Sequence, residues 1–142
     1  MLVRLLYASR ATQPVDHDML GAILKQSRAN NPKTGVTGVL CCCSNTLFLQ
    51  ALEGGRSTVN QLYHKISADP RHGEVMLLSY EEIDARHFAS WSMGQVNLSR
   101  LNPAVLLKYS ATAALDPLHI SGKVAMSLLD ELVATAAVVG QG

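Results

Sequence analysis

The sequence predicts an α+β fold of the ferredoxin-like type, a βαββαβ(β) sheet with two helices on one face and C-terminal helices on the other. Three observations predict it. First, apolar residues repeat every second position in the predicted strands and at helical spacing in two other segments, which gives the order β-α-β-β-α-β. Second, one more strand follows this series. Third, the last part of the sequence has a different composition and carries helix-capping signals. The 142 residues suffice for one domain with a single continuous core.

Three of the predicted strands belong to the centre of this sheet. Residues 2–8 alternate as a strand, with Tyr7 on one apolar face. Residues 36–43 form a continuous apolar run, typical of a strand buried on both faces, and residues 47–53 return as its hairpin partner. The first and third strands are adjacent and central in a ferredoxin-like order, so we expect Tyr7 and Gln50 to lie within side-chain reach and to face the two helices.

Two helices lie between these strands. Asp16 or Asp18 can cap the first helix, and Pro32 is expected to end it, because the residue before a proline avoids the α region. In the second helix, apolar residues at i, i+3, i+4 and i+7 span residues 59–66, and the helix closes before Pro70. Both helices therefore present one apolar face to the sheet.

The remaining elements are two strands and two further helices. Residues 75–80 predict a fourth strand, and a fifth is expected from Trp91. From about residue 99, a capping residue followed by proline occurs twice, which predicts helices over residues 103–110 and 117–139. The second helix carries an apolar stripe that would cover the other face of the sheet. That stripe comprises Val124, Leu128, Leu132 and Ala136.

Composition and charge exclude several classes of function. A net charge of +1 with no Lys/Arg cluster provides no electrostatic surface for nucleic acid. The N-terminal apolar run is too short for a secretory signal and no stretch reaches the roughly 18 apolar residues that span a bilayer, so we expect a cytoplasmic protein with no membrane partner. Charged residues make up only 16% of the sequence, against a usual value of about 25%, so we expect part of the surface to be a homo-oligomer contact, such as that of a dimer.

The three cysteines are consecutive, Cys41, Cys42 and Cys43. In a strand, Cys41 and Cys43 share a face while Cys42 points away, so they cannot converge as metal ligands. We interpret them as small apolar residues of a buried strand, with no metal site.

The segment FLQALEG at residues 48–54 raises the main question about function. Read as a strand, it aims Gln50 toward the same face as Phe48 and Leu52. A buried amide without partners costs roughly 1 to 3 kcal/mol, so Gln50 should have partners among side chains, water or a ligand. A structural role would explain each of the other candidates taken singly, which are Tyr7, Asn30, Asn31, Arg71, His72, Trp91 and Met93.

Six short segments occur in order along the first two thirds of the chain. They are YAS at 7–9, NN at 30–31, TGVTGVL at 34–40, FLQALEG at 48–54, DPRH at 69–72 and RHFASWSMG at 86–94. Together they resemble the BLUF domain family, the flavin-based blue-light sensors, and the resemblance covers residues 1–98. Residues 99–142 are then expected to be a C-terminal helical extension that packs on the sheet, mediates output, or both.

The resemblance implies a noncovalently bound flavin, usually FAD with FMN as the alternative, whose ring lies between the two core helices. Tyr7 and Gln50 correspond to the photoactive pair of the family. Asn31 corresponds to the Asn that hydrogen-bonds the polar edge of the ring, and Arg71 to the Arg near its pyrimidine carbonyl. Asn30 corresponds to a position, Asn or His, that lines the ring.

The resemblance extends to residues around this pair. Trp91 and Met93 match two photoactive residues whose placement near the Gln varies among structures of the family. Ser9, Asp69 and His72 are expected close to the pocket.

The resemblance implies a blue-light photoreceptor rather than an enzyme. A phenol beside an excited flavin is an electron and proton donor, and rotation or tautomerisation of the Gln50 amide would rearrange hydrogen bonds and shift the flavin absorption to the red. The sequence contains no cyclase, phosphodiesterase or DNA-binding segment. We therefore expect the signal to pass to a separate, unidentified partner protein or to alter self-association.

Two alternatives stay open on the residues alone. An acylphosphatase-like hydrolase on the same fold would need a glycine-rich anion-binding loop with an Arg after the first strand, whereas Arg10 stands in ASRATQP without a glycine. A dimerisation module that kept the fold and lost its ligand is the second alternative. A yellow preparation with bound flavin would eliminate that module, and a colourless protein that hydrolyses acyl phosphates would favour the hydrolase.

Overall fold

The computed structural model describes residues 1–96 and 102–135, and the backbone of residues 138–139. The strands in this part of the chain are β1 (Leu2–Ala11), β2 (Thr37–Ser44), β3 (Leu47–Gly55), β4 (His72–Ile83), β5 (Gly94–Val96) and β6 (Val138–Val139). The helices are α1 (His17–Thr34), α2 (Arg56–Ala68), α3 (Pro103–Leu107) and α4 (Gly122–Ala134), and Pro117–His119 form a 3-10 turn. No helix in these described ranges has the length and apolar character needed to cross a membrane.

The strands form one sheet in the order β4-β1-β3-β2-β5-β6. β1 lies antiparallel between β3 and β4, and β2 pairs with β3 as the predicted hairpin. β5 is parallel to β2. The α+β, ferredoxin-like prediction is confirmed, as is the adjacency of the first and third strands, because Tyr7 and Gln50 are direct register partners.

Each face of the sheet carries its own core, whereas much of the edge strand β4 is exposed. The pocket-side cluster lies under α1 and α2 and comprises Val3, Leu5, Tyr7, Ala11, Val15, Leu24, Val36, Leu40, Phe48, Leu52, Val59 and Met93. The extension-side cluster lies under the C-terminal helices and comprises Leu6, Val39, Cys41, Leu49, Ala51, Phe88, Val96, Leu106, Leu115, Ala125, Leu128, Leu129 and Leu132. The two clusters share no residue, because side chains alternate across the strands between them.

The cysteines follow the predicted alternation. Cys41 and Cys43 belong to the extension side, with their sulfur atoms 3.7 Å apart, and Cys42 packs on the pocket side. All three are free thiols.

Helix α1 begins as predicted but ends later. The Asp16 side chain accepts a hydrogen bond from the Met19 amide at the N-cap. The prediction that Pro32 ends the helix is wrong, since the helix continues through Thr34. Proline removes only one hydrogen bond in this last turn, and the true stop is Gly35, which adopts a left-handed conformation with φ 75°.

The strands after α2 differ from the prediction in length. β4 is longer than residues 75–80 and starts at His72, directly beside the pocket. The prediction of a fifth strand from Trp91 is wrong in its start, because β5 begins only at Gly94. Trp91 and Met93 therefore lie on the connecting segment that leads into β5, which β2 already contacts through the Gly38 amide, a donor to the Trp91 carbonyl.

The C-terminal helices are shorter than predicted. The first ends at Leu107 instead of residue 110, and the single helix expected over 117–139 is wrong. The chain makes a 3-10 turn, becomes extended at Ile120, and starts α4 after Ser121, whose side chain accepts from the Val124 amide. Leu128 and Leu132 of the predicted stripe are buried, Val124 is half-buried, and Ala136 lies outside the described residues.

Candidate functional site

A cavity of about 530 Å³ opens between α1 and α2 above the centre of the sheet. That volume lies in the range of ligand pockets, which hold roughly 300 to 1,000 Å³. Every predicted site residue lines it except Trp91 and Ser9, so the lining includes Tyr7, Asn30, Asn31, Gln50, Asp69, Arg71, His72 and Met93. The cleft thus collects residues from two helices, the three strands β1, β2 and β3, the start of β4 and the segment before β5.

The floor of the cleft carries a chain of three buried side chains. The Tyr7 hydroxyl donates to Gln50 Oε1, and Gln50 Nε2 lies 3.3 Å from Met93 Sδ. Both polar ends of the Gln50 amide therefore have a partner in the protein. Burial raises the pKa of Tyr7 well above its ordinary value, so the phenol is neutral and able to donate at physiological pH.

Trp91 and Met93 take opposite sides of the sheet. Met93 belongs to the pocket-side cluster and contacts Gln50, whereas Trp91 is half-buried against the extension-side cluster. Of the two residues with variable placement, the structure brings only Met93 to the amide.

Asn31 and Arg28 hold the segment that carries Met93. Asn31 is buried near the end of α1, and its Nδ2 donates to the Ser92 carbonyl at 2.6 Å. Arg28, one turn earlier, donates through Nε to the Met93 carbonyl at 3.0 Å. The cleft wall at α1 is thereby tied to the residues that face Gln50.

The opposite end of the cleft is a polar cluster at the start of β4. Both carboxylate oxygens of Asp69 accept from Arg71, and these hydrogen bonds lower the pKa of Asp69 below its ordinary value. Burial lowers the pKa of His72, which favours its neutral form. Ser9 is fully buried behind it and shares a 2.7 Å hydrogen bond with His72 Nδ1. Ser9 therefore orients His72 without lining the cleft.

Several functional contacts were not predicted. The ring of Tyr63 on α2 lies 5.7 Å from that of Tyr7, and Lys33 and Lys65 add two ammonium groups to the cleft. The spacing of Lys65 from Leu62, three residues apart on α2, was a usable signal for its place on the cleft side. No signal in the sequence indicated the contact of Arg28 with the segment before β5, because its partner there is the backbone carbonyl of Met93 and not a side chain.

The fold and the cleft define a small ligand-binding α+β domain with a buried phenol–amide pair at the base of its pocket. The family model described as BLUF, sensors of blue-light using FAD, matches residues 2–94. The chain belongs to this family of blue-light photoreceptors.

Known proteins support the same assignment. The chain is 37% identical over 93 residues to the photoactivated adenylate cyclase subunit beta of Euglena longa, and this match covers 65% of the chain and 11% of that protein. Its match to the alpha subunit of Euglena gracilis is 37% over 89 residues, 63% of this chain and 9% of that protein. The chain therefore spans only about a tenth of the length of these curated relatives.

Solved structures match over greater shares of the chain. BlsA in its photo-activated state superposes with a TM-score of 0.82 at 31% identity, covering 100% of this chain and 99% of that one. BlrB, described as a BLUF protein in its dark state, gives 0.77 at 33% identity, with 95% and 96% covered. A bacterial light-regulated adenylyl cyclase gives 0.70 at 33% identity, with 78% of this chain but only 32% of that one covered. BLUF domains thus occur both in short proteins and attached to effectors.

Proposed function

We propose that this chain binds FAD noncovalently in the cleft between α1 and α2 and signals through a light-driven rearrangement of the Gln50 amide. The observation that carries the proposal is the buried contact of Tyr7 with Gln50 at the base of the cleft. The family is described by its use of FAD, which supports the proposal of that flavin. The domain acts as a sensor.

The residues of the cleft suit a flavin nucleotide. Ile23 from α1 and Leu62 and Ile66 from α2 supply apolar walls for a flat ring system. Asn31 and Arg71 line the cleft, and the family resemblance implies that both would meet the polar edge of such a ring. The ammonium groups of Lys33 and Lys65 would attract the phosphates of the nucleotide.

Tyr7 is suited to donate an electron and a proton. The bound flavin would supply the absorption of blue light and the oxidising excited state. The hydroxyl of Tyr7 already points its proton at Gln50 Oε1, so loss of an electron from the phenol leaves an acceptor in place for that proton. Because the phenol is buried and neutral, no solvent molecule has to take part.

Gln50 is suited to act as the switch. A carboxamide has a donor end and an acceptor end, and turning it over exchanges their positions while the stem stays in place. In the arrangement seen here the oxygen faces Tyr7 and the nitrogen faces Met93. After a turn, the oxygen would face a thioether that cannot donate, so the Met93 contact would be lost and the segment before β5 would lose one of its contacts with the floor of the cleft.

We propose that residues 99–142 pass this change to a separate partner protein or to a second copy of the chain. The support is the extension-side cluster, in which Trp91 and Phe88 of the segment before β5 pack with Leu128 and Leu132 of α4. The family's members that carry a light-regulated cyclase show an effector attached to the same kind of domain.

Absorption spectroscopy tests the proposal. The purified protein is expected to be yellow, to release FAD on denaturation, and to show a small reversible red shift after blue light. Tyr7→Phe and Gln50→Leu should retain flavin and lose the shift, because each removes one member of the pair. Tyr63→Phe is the matched control, since it removes the hydroxyl of the neighbouring ring on α2, which forms no hydrogen bond with Gln50 in the described part of the chain, and it should keep the shift. A colourless protein, or a red shift that persists in both variants of the pair, would reject this function.

A further inference from the structure

The feature that suggests a further role is a carboxylate buried beneath the photoactive strand. Glu53 lies on β3 on the opposite face from the cleft, with 0% of its surface exposed. Its Oε2 accepts from Arg4 Nε and from the His87 amide, each at 2.9 Å. Its Oε1 accepts from the Phe88 amide at 2.9 Å and from Thr37 Oγ1 at 3.3 Å. One side chain thus binds two consecutive backbone amides at the start of the segment that leads to Met93.

Arg4 fixes the position of this carboxylate. Its guanidinium pairs with Glu53 and with Glu81 at 2.9 Å each, and its carbon lies 6.0 Å from the centre of the Phe88 ring. The third nitrogen of Arg4, Nη2, is buried and has no hydrogen-bond partner among the residues that the structure describes. A buried charge that loses its partner is strongly destabilising, so Glu53 is held to Arg4 and cannot follow a movement of residues 87–88.

The anchored segment continues to the switch through a short series of hydrogen bonds. The Trp91 amide donates to the Phe88 carbonyl at 3.1 Å, and the Trp91 carbonyl accepts from the Gly38 amide at 3.1 Å. At the far end, Asn31 and Arg28 hold the carbonyls of Ser92 and Met93. The segment is therefore fixed at its start by Glu53 and at its end by α1, with Trp91 and Met93 between the two anchors.

We propose that Glu53 is a positioning residue for the photoreaction: it holds the amides of His87 and Phe88 from the far face of the sheet and thereby keeps Met93, and not Trp91, against Gln50 in the dark. The inference rests on the proposed function for its consequence and on contacts of this chain for its geometry. Trp91 packs on the far side of the sheet, and a shift of the segment that carried residues 87–88 with it would break the hydrogen bonds to Glu53. Each hydrogen bond to a charged acceptor biases such an equilibrium by about ten- to a hundredfold.

The test compares two substitutions that each remove one carboxylate from Arg4. Glu53→Gln weakens the hold on the two amides, whereas Glu81→Gln, at a side chain 50% exposed, leaves that hold intact. In the dark, hydrogen exchange of the His87 and Phe88 amides is expected to rise about tenfold or more in Glu53→Gln relative to the β1 and β3 amides, and to stay within about twofold in Glu81→Gln. Trp91, the only tryptophan in the sequence, should gain a second fluorescence-lifetime component only in Glu53→Gln.

The photocycle supplies the third readout. Decay of the red-shifted state is expected to change about threefold or more in Glu53→Gln and to match the parent in Glu81→Gln. If Glu53→Gln fails to fold, the double variant Arg4→Gln/Glu53→Gln removes both buried charges and keeps the prediction for the two amides. A parent without a red shift would reject the proposed function but leave the exchange data interpretable. Parent-like exchange at residues 87–88 and parent-like decay in Glu53→Gln, or a uniform rise in exchange over the whole sheet, would overturn the inference.

Discussion

Replacing Leu128 with Ala tests whether α4 and the sheet form one cooperative unit. Leu128 is fully buried in the extension-side cluster, together with Val39 and Leu49 of the central strands. Leu→Ala substitutions in cores cost about 2 to 5 kcal/mol, and the cost rises when the site cannot collapse. The neighbours of Leu128 lie on a sheet and a helix that are both regular, so we expect a loss of about 3 to 5 kcal/mol in the free energy of unfolding. For a chain of this size that corresponds to a fall in Tm on the order of 10 °C.

Urea unfolding measures this loss with two probes. Trp91 fluorescence reports the extension side and flavin absorbance would report the pocket side, and the two midpoints are expected to shift together. Leu107→Ala is the matched control, because the same change at a side chain 53% exposed should stay within about 0.5 kcal/mol. A loss below about 1 kcal/mol for Leu128→Ala, or a shift seen only by Trp91, would refute the reasoning by showing that α4 unfolds independently of the pocket.

Three further predictions concern the backbone and one titrating group. Gly35→Ala should lower the free energy of unfolding by about 1 to 2 kcal/mol, because Gly35 adopts a left-handed conformation with φ 75°. Gly21→Ala, in open space within α1, should raise it by about 0.5 to 1 kcal/mol. Chemical denaturation compares the two variants, and equal effects would contradict the assignment of Gly35 as the helix cap. Gly122→Ala should destabilise by about 1 to 3 kcal/mol in the same assay, since a Cβ there would lie 2.1 Å from the Leu78 carbonyl oxygen; a neutral result would show that α4 can shift at no cost. Because burial lowers the pKa of His72 below its ordinary value of 6.5, the folded state binds that proton less tightly than the unfolded chain, so stability should fall as the pH drops below about 6.5. His72→Gln should flatten this part of the stability profile, and an unchanged slope would assign it to another group.

The alternation of side chains between the two faces of a strand made the contacts at the centre of the sheet predictable. Once strands β1 and β3 were recognised as neighbours, the facing of Tyr7 and Gln50 followed from the period of two, and the structure pairs them directly. The same register pairs Arg4 with Glu53. Two opposite charges on neighbouring apolar strands were therefore a usable signal for this ion pair, which the sequence-based prediction did not include.

The rest depended on interactions that no local pattern records. Pro32 fits into the last turn of α1 because Gly35 supplies a left-handed cap three residues later. In β4, one extra residue shifts the register, because Leu6 pairs with Ser79 but Tyr7 pairs with Leu77. The side chains of β4 therefore do not alternate between the two faces of the sheet along the whole strand. The placement of Trp91 on the extension side depends on the contacts that hold its segment at both ends, which are tertiary.

The two separate cores have a consequence for protein engineering. Since no buried side chain belongs to both, residues facing α4 could be redesigned to accept a different C-terminal module without touching one group that lines the cleft. The sheet would then separate an exchangeable C-terminal module from a cleft whose lining residues remain those of the parent.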